Sequence, residues 1–119
     1  MAKRWALTKR AQYLTVYKSG KAWVDGLIVI KTLPNKLEFS RYGFSVAKEI
    51  GKAVVRNRVR RLLKEIARVT NVKPGWDIVF IARPTAAAGD YHQLKKSMEK
   101  LLIRAHLIDK DEKLRVGVN

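Results

Sequence analysis

The sequence predicts a small α+β sandwich, one mixed sheet with helices packed on it, in the order helix, two or three strands, helix, strand, helix. Three observations carry this reading. Lys52 to Val69 repeats apolar residues at helical spacing, Trp76 to Arg83 is apolar on both alternating faces, and the 119 residues suit a single domain over 1–119. With 47% hydrophobic and 30% charged residues a core can form, and wholesale disorder is excluded.

Thr8 to Ser19 reads as the first helix, with Thr8 as N-cap, Leu7, Ala11 and Leu14 on one stripe, and Gly20 as its stop. Gly26 to Leu33 is a β-rich run. Pro34-Asn35 suits a tight turn into a second strand from about Leu37 to Ala47, which predicts an antiparallel hairpin. From Lys52 to Val69, the residues Val55, Val59, Leu62, Leu63 and Ile66 form a helical stripe. Lys73-Pro74-Gly75 breaks that helix. Trp76 to Arg83 then has the pattern of a central strand covered on both sides, ended by Arg83-Pro84. Asp90 and Gln93 make a capping box ahead of the stripe Leu94, Met98, Leu101, Leu102 and Ala105, and residues 107–119 read as a loosely held tail.

Lys and Arg total 26 against 10 Asp and Glu, a net charge of +16, so a polyanion is the leading partner class. The charge is concentrated. Residues 1–21 carry +6 and residues 48–73 carry +7. There is no cysteine, which removes disulfides, thiol catalysis and cysteine-based zinc sites. The longest apolar runs fall far short of a membrane span and Met1 to Leu14 has no signal-peptide core, so a cytoplasmic protein with no membrane partner is expected.

At about 100° per residue, the helix from Lys52 places Asn57, Arg60, Arg61, Lys64 and Arg68 in one sector opposite the apolar stripe, flanked by Arg56 and Arg58. An ordinary solvated face mixes signs, whereas Arg56, Arg60, Lys64 and Arg68 repeat one sign at every fourth position, and self-repulsion costs stability. Lys52 and Arg56 also stand near the helix N-terminus, where the dipole disfavours cations. Phosphate groups account for both features, since they accept from the free N–H groups of the first turn and from guanidinium forks. His92 and His106 stand alone and the acids are scattered, so no protein-borne catalytic or metal site is expected.

The stretch from Gly43 to Arg61, GFSVAKEIGKAVVRNRVRR, with its Arg56-Asn57-Arg58 core, closely resembles the signature of the bacterial ribonuclease P protein subunit. The resemblance spans nearly the whole chain, from an early aromatic helix ending in Lys-Ser-Gly to a closing amphipathic helix. It implies a basic sandwich with a left-handed βαβ crossover. It also implies an RNA-binding subunit that assists a catalytic RNA in removing the 5′ leader of precursor tRNA, with Mg²⁺ held mainly by RNA and no protein partner required. By analogy, Arg56, Asn57, Arg58, Arg61 and Lys64 face the catalytic RNA, while a cleft between the first helix and the sheet takes the leader. Lys64 stands where relatives often carry Arg, and Lys31 where an aromatic residue is common.

For the leader, Tyr13 and Tyr17 lie four residues apart on a shoulder of the first helix, which suits either base stacking or core packing with the hydroxyls in water. Alternation places Tyr42, Phe44 and Val46 on one face of the second strand and Arg41, Gly43, Ser45 and Ala47 on the other. The latter, small and partly basic, suits a cleft floor with Lys48 at its end, or equally the bed of a packed helix. A structural RNA-binding protein of ribosomal type is the alternative reading; a DNA-binding regulator is less well matched, because the helix offers phosphate contacts in place of base-reading side chains.

Overall fold

The computed structural model describes residues 5–109. Helix α1 (Arg10–Ser19) leads to strands β1 (Lys21–Val24), β2 (Ile28–Pro34) and β3 (Arg41–Ser45). A 3₁₀ turn (Lys48–Ile50) precedes α2 (Ala53–Val69), and β4 (Trp76–Ala82) with a second 3₁₀ turn (Pro84–Ala88) leads to α3 (Tyr91–Arg104). The predicted order holds, and the third strand is present.

The sheet runs β1-β2-β4-β3. β4 is antiparallel to β2 and parallel to β3, so β3, α2 and β4 form a βαβ unit. The central place of β4 follows from its composition, because Ile78 and Phe80 on one face and Val79 on the other are all fully buried. On the Phe80 side, Val59, Leu63 and Ile66 of α2 and Leu94, Met98 and Leu101 of α3 close the main core. Phe44 stacks on Phe80 with ring centroids 5.6 Å apart. On the Val79 side, α1 closes a smaller cluster with Leu7 and Val16.

Several expectations are corrected. β2 and β3 do not form a hairpin; the antiparallel hairpin is β1–β2, and β4 lies between β2 and β3. Asn35 makes a local turn, its Oδ1 accepting from the Leu37 N–H, but its amide donates to Phe39 O and Asp77 Oδ1. The segment after Pro34 is thereby tied to the start of β4. Ser40 fixes the far side, donating to Lys73 O and accepting from the Trp76 N–H. The N-cap of α1 is Lys9, not Thr8, because Gln12 Oε1 accepts from the N–H groups of both Thr8 and Lys9. The α1 stripe is rotated too. Leu14 is half exposed while Val16 is buried, and Tyr13 and Tyr17 face the sheet, since two aromatic rings cover more of it than Leu and Ala would. Gly20 ends α1 as expected, yet in an extended conformation; a Cβ there would meet Val16 O at 2.6 Å. Finally, Leu107 is buried and its carbonyl accepts from the Lys73 N–H, so the predicted loose tail is anchored there, and its residues 110–119 lie outside the described residues.

Gly43 is a close-approach glycine. A Cβ at this position would stand 2.6–2.9 Å from three atoms of the Tyr13 ring, whose hydroxyl accepts from the Phe44 N–H. Gly43→Ala is expected to destabilise the fold by about 1–3 kcal/mol through overpacking. In a Tyr13→Ala background the added cost should shrink, the two sites being in contact. Thermal or denaturant unfolding of the four proteins checks this.

Candidate nucleic-acid interface

α2 turns its apolar stripe onto the sheet, so its polar face looks outward by construction. Asn57, Arg61, Lys64 and Arg68 are exposed and Arg60 is half-buried. These five residues, with Trp5 and Glu65, line a shallow hollow of about 530 Å³. Arg60 donates to Asn57 Oδ1 at 3.1 Å, and Arg68 pairs with Glu65 at 2.6 Å. The latter is an exposed pair of small energetic weight that leaves the strip strongly cationic. The sequence reading thus assembles on one surface for Asn57, Arg60, Arg61, Lys64 and Arg68.

The two arginines of the signature behave differently. Arg56 donates through Nε to Gly51 O at 3.1 Å, holding the turn ahead of α2 where Gly51 has φ 154°. Arg58, on the opposite flank, donates to Ala87 O at 2.6 Å and Gly89 O at 3.3 Å, tying α2 to the end of the second 3₁₀ turn. The sequence suggests outward-facing side chains for both. They instead satisfy backbone carbonyls that no helix or sheet partner would take.

On the other side of the sheet, Thr8, Arg10, Tyr13, Tyr17, Phe44 and Ser45 line a hollow of about 400 Å³. Both open alternatives for the β3 face are realised along one strand: Gly43 is the bed of α1 under Tyr13, and Ser45 is open in the hollow. The rings of Tyr13 and Tyr17 are 6.3 Å apart and tilted by 60°. Lys31 Nζ donates to the Tyr17 carbonyl at 2.9 Å and lies 5.9 Å from its ring centroid. In place of an aromatic residue, this position thus puts a cation at the C-terminal end of α1, where the helix dipole favours it.

Arg41 is not brought to this hollow. It forms a two-pronged pair with Asp77 at 2.9 and 2.8 Å, and donation to that carboxylate, against the cost of burial, raises the guanidinium pKa above its ordinary value. Lys48 is exposed in the 3₁₀ turn beyond β3, outside the hollow's lining. Trp5, Thr8, Arg10 and Phe44 are lining residues that the sequence reading missed; the signal available for Trp5 was an aromatic ring set between Arg4 and Lys9 in a basic stretch. Among the described residues no three His, Asp or Glu converge on one point, and His92 and His106 are both exposed. Among the described residues no helix is long and apolar enough to cross a membrane.

Arg58→Ala should cost about 1.5–3 kcal/mol of stability, the worth of hydrogen bonds from a charged group, whereas Arg61→Ala should stay within about 0.5 kcal/mol. Parallel unfolding curves check the contrast, and equal losses would remove the distinction between brace and surface.

The family profile described as Ribonuclease P matches residues 1–106. A Ribonuclease P protein component of Dehalococcoides mccartyi is 47% identical over 108 residues, covering 90% of each chain. One from Caldanaerobacter subterraneus is 45% identical over 109 residues, covering 90% of this chain and 94% of the relative. Among solved structures, a mutant Staphylococcus aureus RNase P protein superposes with TM-score 0.85 at 32% identity, covering 91% of this chain and 93% of that one. The Thermotoga maritima RNase P protein gives 0.78 at 30% identity, covering 85% and 97%. These likenesses support the ribonuclease P reading and not the ribosomal alternative. The chain belongs to the ribonuclease P protein component family and is an RNA-binding subunit of the tRNA-processing endoribonuclease.

Proposed function

We propose that the chain serves its complex through two separate RNA-binding surfaces, one for the catalytic RNA and one for the 5′ leader of precursor tRNA. The catalytic RNA docks on Asn57, Arg60, Arg61, Lys64 and Arg68, and Arg56 and Arg58 frame that face. The leader lies in the hollow of Tyr13, Tyr17, Phe44 and Ser45, with Lys48 beyond its end and Arg41 bracing the strand that floors it. The observation that carries this reading is the strongly cationic exposed face of α2, where Glu65 is the lone acid among its lining residues; like charges there cost the isolated protein stability and are relieved by phosphate.

Among the described residues no three acids or histidines come together as a tight divalent-cation site would require. Three of the acids are already engaged by cations, Asp25 by Lys100, Asp77 by Arg41 and Glu65 by Arg68. In this reading Mg²⁺ is held mainly by the RNA, and this chain's contribution is charge and shape. Two RNAs repel one another, and a protein of net charge +16 at their junction offsets that repulsion. The reading sets this work in the cytoplasm.

Reconstitution with a bacterial ribonuclease P RNA tests it. The complex should cleave precursor tRNA at Mg²⁺ concentrations where the RNA alone is slow, while the protein alone cleaves nothing; absence of stimulation overturns the reading. His92→Gln with His106→Gln should leave cleavage nearly unchanged. Arg61→Gln and Lys64→Gln should each flatten the dependence of log affinity for the catalytic RNA on log salt by roughly 0.7–0.9.

Tyr17→Ala is the cleaner probe of the leader, because the Tyr13 hydroxyl is committed to the Phe44 N–H. Binding of precursor tRNA with a leader of several nucleotides should weaken by about 1–3 kcal/mol, and binding of mature tRNA should not change. Equal losses with both substrates would remove the leader from this hollow.

A further inference from the structure

The two surfaces lie on opposite faces of the sheet and meet around the outer edge of β3. Trp5 stands at that meeting point, half-buried, with its ring 5.9 Å from that of Tyr42 and tilted by 54°. The chain that follows Trp5 is pinned there, since Ala6 bridges to Tyr42 in parallel register and the Leu7 N–H donates to Tyr42 O at 2.8 Å. Trp5 borders the α2 hollow, and it also borders a second one of about 510 Å³ that wraps the β3 edge from Arg60 and Lys64 on α2 to Thr8 just before α1 and Tyr13 on it. That volume falls in the range of roughly 300–1,000 Å³ common for small-ligand pockets. Its chemistry is uneven in a useful way: aromatic rings at the edge strand, cations on one rim, and a hydroxyl side chain on the other.

We propose that the hollow around the β3 edge is a binding site for one unpaired RNA nucleotide, its base on the Trp5 ring and its phosphate on Arg60 and Lys64. Indole offers a large flat face, and its packing on Tyr42 and the pinned backbone at Ala6 and Leu7 fix that face before any ligand arrives, which lowers the ordering cost of binding. Base stacking is indifferent to sequence, and Arg60 and Lys64 supply phosphate contacts that are equally so. The nucleotide comes from the catalytic RNA or from the leader of precursor tRNA, and the inference rests on the two-surface reading above.

The full chain, reconstituted with a bacterial ribonuclease P RNA, separates the possibilities in the forms wild type, Trp5→Ala, Trp5→Phe and Trp5→Leu. Affinity for the catalytic RNA and affinity of the complex for precursor tRNA are measured at several salt concentrations, alongside thermal unfolding. Trp5→Ala should weaken one of the two steps about 5- to 150-fold, the worth of a stacked base, without changing its salt slope. The step that weakens identifies the RNA supplying the nucleotide. Trp5→Phe should retain most of the affinity, and Trp5→Leu, which keeps apolar packing on Tyr42 without an aromatic face, should bind as poorly as Ala. If Leu binds as well as Phe, or if all variants stay within twofold of wild type, the proposal is overturned while the two-surface reading stands. If the wild-type chain fails to stimulate cleavage at all, the reading fails and this inference falls with it.

Discussion

Strand β4 is apolar on both faces and has hydrogen-bonding neighbours on both sides, and this double burial constrains everything else. One helical layer is not enough to cover it, so α1 must close the Val79 face while α2 and α3 close the Phe80 face. The two surfaces proposed to meet RNA are consequences of that division. The cationic face of α2 is what remains outside once Val59, Leu63 and Ile66 are turned inward, and the aromatic hollow is what remains where α1 rests on the outer part of the sheet.

Within the signature motif, bracing and exposure are divided among neighbouring residues. Arg56 and Arg58 point to opposite flanks and hold Gly51 on one side and the Ala87–Gly89 carbonyls on the other. Asn57 and Arg60 hold each other, and Arg61 and Lys64 stand exposed. The guanidinium group suits both tasks because its fork satisfies two carbonyl acceptors as readily as two phosphate oxygens. An Arg-Asn-Arg motif therefore sets the orientation of the face as well as contributing to its charge.

Much of this was legible in the sequence, for physical reasons that differ by element. The periodicity of Val55, Val59, Leu62, Leu63 and Ile66 fixed the outward sector of α2, and the Asp90–Gln93 capping box marked the start of α3, where Asp90 accepts from the Gln93 N–H. The strand pairing was not legible. Pro34-Asn35 has the composition of a tight turn, but the Asn35 amide is spent on Asp77, forty-two residues away, and no local pattern reveals such a partner. The same holds for Arg41 and Arg58, whose charges read as surface until the buried carboxylate and the carbonyls that they meet are known. The α1 stripe was misread because Leu and Ala weigh heavily in a hydrophobic pattern, while tyrosines that partly bury a ring and carry a polar hydroxyl count as ambiguous.

The closure of β3 has a consequence for assembly. An edge strand is ordinarily an invitation to another chain, through its unpaired N–H and C=O groups. Here the outward carbonyl of Tyr42 is taken by the Leu7 N–H and the outward N–H of Phe44 by the Tyr13 hydroxyl. The other edge, β1, is four residues long and opens with Lys21, both features that discourage strand addition. Among the described residues the sheet thus offers little ladder for a polypeptide to extend, by β-augmentation or by self-stacking. A subunit built this way closes the backbone route by which one sheet edge recruits another, because those groups are satisfied inside its own fold.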